Sequence, residues 1–108
     1  MADSEAVSIF EEVEAERRAQ LDRWGEQRHY DDTGGDVLSR EAAIAKAACQ
    51  AAAKFISEGP GWRLILNEEV AEAFAEHDPA PLRAELIQVA AVAVAWIEDI
   101  DSRQEPET

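Results

Sequence analysis

The stretch WRLILNEEVAEAFAEHDPAPLRAELIQVAAVAVAWIEDI, residues 62–100, decides the fold of this chain. Its apolar residues recur every three or four positions, and its alanine and leucine content favours helix over strand. Asp78 followed by Pro79 and Pro81 marks a helix start, because proline is tolerated in a first helical turn. The stretch therefore predicts two helices, Trp62–His77 and Asp78–Ile100, whose short connection makes them adjacent and antiparallel.

The preceding residues predict two more helices. The first is expected over Glu5–Trp24 and the second over Ser39–Ser57, whose inward stripe consists mostly of alanine. Between them, Gly25–Asp36 contains three glycines and no apolar period, which is typical of a loop. We expect an all-α, four-helix domain over residues 1–101 and a flexible polar tail over residues 102–108.

Composition limits the classes of function. The chain has 108 residues, of which 46% are hydrophobic, enough for one domain with a core. The formal net charge of −14 repels nucleic acid and anionic membrane surfaces, so binding by charge neutralisation is excluded. An anionic substrate is compatible with this charge only if something reverses its sign locally, and a divalent cation does so.

Cellular location is predicted from cysteine usage and from the absence of targeting signals. Cys49 is the single cysteine, which excludes an intrachain disulfide and suits a reducing cytosol. The first residues lack the pattern of a secretory signal, and the longest apolar run, Val89–Ile97, is shorter than the roughly 20 residues of a membrane-spanning helix. We therefore expect a soluble, cytoplasmic protein.

The fourth predicted helix is unusually apolar. From Leu86 to Ile97 it has apolar residues on every side, and Gln88 is the one exception. Such a helix must be buried all round, either at the centre of a bundle or across a subunit interface. Because this exceeds what a small bundle comfortably buries, we expect a homo-oligomer, either a dimer or a tetramer.

Polar residues at helical spacing lie on both C-terminal helices. Glu69 and Glu72 are three residues apart and project from the same side of the third helix, as Glu85 and Gln88 do from the fourth. Acidic stripes often simply face solvent, which is one reading of the third helix. However, carboxylates facing each other between antiparallel helices require protons or metal ions between them.

This pattern, Glu69-x-x-Glu72 followed by Glu85-x-x-Gln88, resembles the metal-binding signature of the MazG-like all-α nucleoside triphosphate pyrophosphohydrolases, in particular their short phage and bacterial members. The resemblance implies that Glu69, Glu72 and Glu85 bind Mg²⁺ or Mn²⁺. It also implies that a (d)NTP is cleaved to (d)NMP and pyrophosphate, with Glu69 or Glu72 accepting the proton of the attacking water. Gln88 departs from the family, which usually has aspartate there, so the chain is either a working enzyme or a degenerate relative.

Candidate substrate-binding residues lie upstream of the acidic pattern. The segment Trp24-Gly25-Glu26-Gln27-Arg28-His29 resembles a tryptophan, glutamine and histidine cluster that lies near the nucleotide base in such enzymes, which implies roles for Trp24, Gln27 and His29. Lys46 and Lys54 lie on one face of the second helix and are candidates for binding phosphate; the alternative for each is a solvated or salt-bridged side chain.

A rival function from another class is a non-catalytic acidic interaction protein, such as a nucleic-acid mimic that occupies a basic site on a partner. The net charge of −14 fits this function. A mimic, however, displays its carboxylates on the exterior and has no need of Glu85 and Gln88 at the start of a buried helix.

Overall fold

The computed structural model describes the backbone of residues 2–103 and the side chains of residues 9–103. The described residues form four helices and no strand, which confirms the all-α prediction. The helices are α1 (Ala2–Trp24), α2 (Asp36–Phe55), α3 (Trp62–Ala75) and α4 (Pro79–Arg103). The predicted tail begins within α4, and residues 104–108 lie outside the described part of the chain.

Two compact units make up the chain. One comprises residues 32–93, with α2, α3 and the first part of α4, and the other comprises the remaining residues at both ends. In the 32–93 unit, α2 and α3 pack directly against each other. The buried residues there are mostly small, which permits close approach of the helix backbones: Ala45, Cys49, Ala52, Ala73 and Leu82.

The loop between α1 and α2 is fixed at both ends by glycine. Gly25 ends α1 with a φ of 69°, and its N–H donates to the carbonyl oxygen of Leu21 at 2.8 Å. Gly34 has a φ of 89°, and its N–H donates to the carbonyl oxygen of Phe74 at 2.8 Å. A Cβ atom on Gly34 would lie 2.9 Å from the Cβ atom of His77, so glycine is required by both conformation and space.

Many apolar side chains that were expected in the core are exposed in the single chain. On α1, the apolar side chains at helical spacing are about half exposed, with Phe10 at 59% and Trp24 at 57%. On α4, Leu86 is 47% and Ile87 is 57% exposed. The single chain therefore leaves this part of α4 about half exposed, and burial against another subunit is still a prediction.

The length and composition of α4 also satisfy the criteria for a membrane-crossing helix, the one helix among the described residues to do so. Core helices of soluble proteins commonly pass the same test, but only 6% of the tested window of α4 is buried. Arg83 and Glu85 lie in the first two turns of the helix, where an ionised side chain is less costly in a membrane than at the helix centre.

Candidate metal centre

The acidic side of α3 is built from consecutive helical turns. Leucine, glutamate and alanine are strong helix formers and occupy most of Trp62–Ala75, and the helix begins after Gly61 without a side-chain cap. Residues three and four apart lie on the same side of a helix, so Glu69 and Glu72 are neighbours, as are Glu68 and Glu72. The helix alone therefore brings three carboxyl groups close together.

A carboxyl group from α4 joins them. Glu69, Glu72 and Glu85 each offer an oxygen atom such that the three atoms all lie within 4.8 Å of one another, and all three residues are partly buried. The Oε2 atoms of Glu69 and Glu85 are buried and have no hydrogen-bond partner. Buried polar atoms are nearly always paired in proteins, so two orphaned oxygens that belong to one cluster point to a missing proton or cation.

The electrostatic environment of this carboxylate cluster, Glu69, Glu72 and Glu85, favours uptake of positive charge. Burial and the nearby carboxylates of Glu85 and Glu68 raise the pKa of Glu69 above its ordinary value. Burial, a hydrogen bond with the Glu68 side chain and the charges of Glu69, Glu68 and Glu85 raise the pKa of Glu72. A cation at the cluster would relieve the same repulsion, and carboxylate oxygens are ligands that Mg²⁺ and Mn²⁺ prefer.

Glu68 and Gln88 complete the description of the cluster. Glu68 is partly buried and hydrogen-bonded to Glu72, which makes it a fourth carboxyl group at the site. Its position four residues before Glu72 was the sequence signal for this contact. Gln88 follows Glu85 by one helical turn and is exposed. The spacing of three residues places Gln88 on the same side of α4 as Glu85, where it is a neutral candidate ligand.

The thiol of Cys49 lies beside the cluster on α2. Its Sγ atom donates to the carbonyl oxygen of Leu64 at 3.2 Å. Burial, together with a hydrogen bond to Glu68 and the negative charges of Glu68, Glu69 and Glu72, raises the pKa of Cys49 to about 11. The thiol is therefore protonated at neutral pH, which fits a small core residue and not a nucleophile.

The candidate substrate-binding residues of the loop belong to the other compact unit. Gln27 and His29 line one cavity of about 250 Å³ together with Arg17 and Gln20 of α1, and we call this cavity the loop pocket. Trp24 is not among its lining residues, and the guanidinium of Arg23 lies 5.2 Å from the centroid of the Trp24 ring. The sequence signal for Arg17 is that it is the one charged residue among Phe10, Val13, Leu21 and Trp24, which are spaced three or four residues apart along α1.

Both candidate lysines are exposed on α2. The ammonium of Lys54 lies 5.4 Å from the ring centroid of Phe55, its neighbour in the chain. Lys54 lies on the side of α2 opposite the buried Ala45 and Ala52, because the residues of a helix are spaced by about 100°. Binding of phosphate by Lys46 or Lys54 is still a prediction.

Comparisons with protein-family models, with curated proteins and with solved structures found no match to this chain. The carboxylate cluster and the loop pocket are therefore the structural features that bear on function.

Proposed function

We propose that this chain is a metal-dependent nucleoside triphosphate pyrophosphohydrolase of the MazG-like type. One observation carries the proposal: Glu69, Glu72 and Glu85 offer oxygen atoms within 4.8 Å of one another, and two of these side chains have a buried oxygen without a partner. Helices α3 and α4 each contribute to this set, at the spacing that the sequence resemblance implies.

The residues of the cluster fit Mg²⁺ or Mn²⁺. Both ions take oxygen ligands and are commonly held by one or two carboxylates together with substrate phosphates. Glu69, Glu72 and Glu85 would hold the ion, and the amide oxygen of Gln88 would be a neutral fourth ligand. A bound ion would screen and orient the triphosphate and lower the pKa of the attacking water.

The side chains of the chain have two tasks in this reaction. Water attacks the α-phosphorus atom, the bond to the bridging oxygen breaks, and the nucleoside monophosphate and pyrophosphate leave. Glu69 or Glu72 accepts the proton of the water as the general base. Trp24, Gln27, His29, Lys46 and Lys54 are the proposed substrate-binding residues.

We also propose that the working form is a homo-oligomer. In the 32–93 unit several large apolar side chains are roughly half to three-quarters exposed: Ile44 69%, Phe55 77%, Ile56 50%, Phe74 47%, Leu86 47% and Ile87 57%. Burying the exposed part of each side chain is worth about 1–2 kcal/mol. Contact with further copies of the chain, as a dimer or tetramer, supplies this burial without placing the chain in lipid.

A turnover panel tests the proposed activity. Purified protein with Mg²⁺ or Mn²⁺ is incubated with each common ribo- and deoxyribonucleoside triphosphate, and pyrophosphate is resolved from orthophosphate. We expect monophosphate and pyrophosphate as products, and we expect Glu72→Gln to lose the activity by at least about a hundredfold. Glu76→Gln is the matched control, because Glu76 directly follows α3 and lies outside the cluster.

The acidic interaction protein is the outcome that would replace this proposal. A protein of this class would bind its basic partner through its net charge of −14, without a metal, so neither metal binding nor turnover is expected of it. Silence in the panel with metal binding intact would identify a degenerate relative, and silence without metal binding would favour a nucleic-acid mimic. Gln88→Asp refines the first case: if the neutral amide is the defect, the added carboxylate should restore turnover and tighten metal binding.

A further inference from the structure

We propose that the loop pocket is a binding site for a phosphate group, with Arg17 as its principal ligand. The loop pocket contains two of the proposed substrate-binding residues, Gln27 and His29, but shares no residue with the carboxylate cluster, so phosphate binding there can be tested apart from the hydrolase activity.

Basic residues are concentrated around the end of α1. Residues 17–29 contain four of the ten basic residues of the chain but only two of its 24 acidic residues. This segment therefore has a formal net charge of +2 in a chain of −14. An anion is repelled less by this segment than by the acidic parts of the chain.

The end of α1 places this segment around a cavity. Gly25 turns the chain in a left-handed conformation immediately after Trp24, and the residues that follow line the loop pocket together with the last turns of α1. The volume of about 250 Å³ lies below the range of pockets that hold whole drug-sized ligands, and it suits a small group such as phosphate or pyrophosphate.

Arg17 is held in position at this pocket. Its Nη1 atom donates to the Oε1 atom of Gln20 at 2.6 Å, and the Nε2 atom of Gln20 is 3.4 Å from a carboxylate oxygen of Glu16. The guanidinium makes no ion pair among those found in the described residues, whereas its neighbour Arg18 pairs with Glu14 at 3.3 Å. The remaining N–H groups of Arg17 form the planar fork that recognises phosphate oxygens in pairs.

The other polar groups of the pocket agree with an anionic ligand. Gln27 and His29 offer further N–H donors. The one carboxylate in the lining, that of Glu26, is already neutralised by an ion pair with Arg28. The helix dipole explains a basic residue such as Arg23 in the last turn of α1, but it does not explain Arg17, which lies seven residues before the helix end.

Equilibrium binding without metal tests the proposal. In EDTA the carboxylate cluster repels anions, so any binding of inorganic phosphate or pyrophosphate must use another site. We expect calorimetry or amide NMR shifts to detect pyrophosphate binding that weakens as salt is added. Arg17→Gln should weaken it at least about tenfold, because a charge-assisted bidentate contact is lost. Arg18→Gln, the adjacent and already paired arginine, should weaken it less than about twofold.

The probes also separate two sources of the phosphate group. A nucleoside monophosphate that binds more tightly than inorganic phosphate would make the source a nucleotide, whereas equal binding would make it free phosphate or pyrophosphate. Either result supports the site. The proposal is overturned if pyrophosphate does not bind, if a nucleoside without phosphate binds as well as its monophosphate, or if the two arginine variants weaken binding equally.

The outcome is distinguishable from that of the proposed hydrolase. Glu72→Gln should abolish turnover and leave pyrophosphate binding in EDTA unchanged. Pyrophosphate binding by a protein that is silent in the turnover panel would refute the hydrolase and retain this site, and turnover without metal-free binding would do the reverse.

Discussion

Replacing Glu85 with glutamine should change the stability of the protein in opposite directions with and without metal. The three carboxylate oxygens of the cluster lie within 4.8 Å of one another. At that separation two ionised carboxylates repel by about 1 kcal/mol at the dielectric constant of water and by about 3 kcal/mol at an effective value of 20. The side chains are partly exposed, so the lower value applies. Glu85→Gln removes two such pairs, and we expect the metal-free variant to be about 1–2 kcal/mol more stable than the wild type at neutral pH.

Metal reverses this order. An ion present at about a hundredfold excess over its dissociation constant stabilises the wild type by about 2.7 kcal/mol, because it binds only the folded state. Glu85→Gln removes a charged ligand and should lose most of this gain. For a domain of about 100 residues, 1 kcal/mol corresponds to roughly 4 °C in Tm. The variant should therefore melt about 4–8 °C above the wild type in EDTA and show little further rise with Mn²⁺.

Thermal melts followed by circular dichroism measure both effects at one fixed protein concentration, since self-association would otherwise shift Tm. Glu76→Gln controls for the loss of one negative charge immediately after the end of α3 and should keep the full metal response. If Glu85→Gln melts below the wild type in EDTA, repulsion among the three carboxylates does not destabilise the metal-free protein. If it keeps the metal response, Glu85 is not a ligand.

Three further predictions concern pH, the loop and the thiol. The pKa values of Glu69 and Glu72 are raised, so the folded state holds protons more tightly than the unfolded state. The stability of the metal-free protein should therefore fall as pH rises from the ordinary pKa of 4.5 through the raised values. Denaturation of the wild type and of Glu72→Gln over this pH range measures the effect, and a rise in stability attributable to these groups would contradict the prediction. Both Gly34 and Gly35 have positive φ, but only at Gly34 would an added Cβ clash with the Cβ and backbone of His77. Urea denaturation should therefore show a loss of stability that is larger for Gly34→Ala than for Gly35→Ala by about 1–3 kcal/mol. Equal losses would show that the clash has no effect on stability. With a pKa of about 11, Cys49 should react with iodoacetamide at least about a hundredfold more slowly in the native than in the unfolded protein near pH 8, and rapid native labelling would show an exposed thiolate.

The sequence predicted the number, order and type of the helices but not all of their ends. Helix α2 begins at Asp36, three residues before the predicted Ser39, because Gly34 and Gly35 both adopt positive φ and complete the turn there. Helix α3 ends at Ala75, two residues before the predicted His77, since Glu76 is already extended, and His77 is exposed. Helix α4 continues to Arg103, where Ser102 and Arg103 both donate to the carbonyl oxygen of Asp99.

The candidate site was predictable to the extent that it follows from helical spacing. A separation of three residues places Glu69 and Glu72 on one helix side, but the approach of Glu85 to them depends on how α3 and α4 pack, which spacing alone does not determine. The loop pocket illustrates the opposite limit. Gln27 and His29 carried a sequence signal, whereas the contribution of Arg17 required the fold, because it lies ten residues before Gln27 and on another element.

An acidic protein that binds an anionic molecule has to overcome electrostatic repulsion. In this chain, a basic segment and a carboxylate cluster that can hold a cation are the two features that can do so. Outside residues 17–29 the formal charge is −16, so the basic segment attracts anions while the rest of the chain repels them. Salt should therefore separate the two candidate sites. Screening relieves the repulsion within the carboxylate cluster and stabilises the metal-free protein, while it weakens pyrophosphate binding at Arg17. If salt moved stability and anion binding in the same direction, the charges would not be divided between two sites as proposed, and a single diffuse field would explain both.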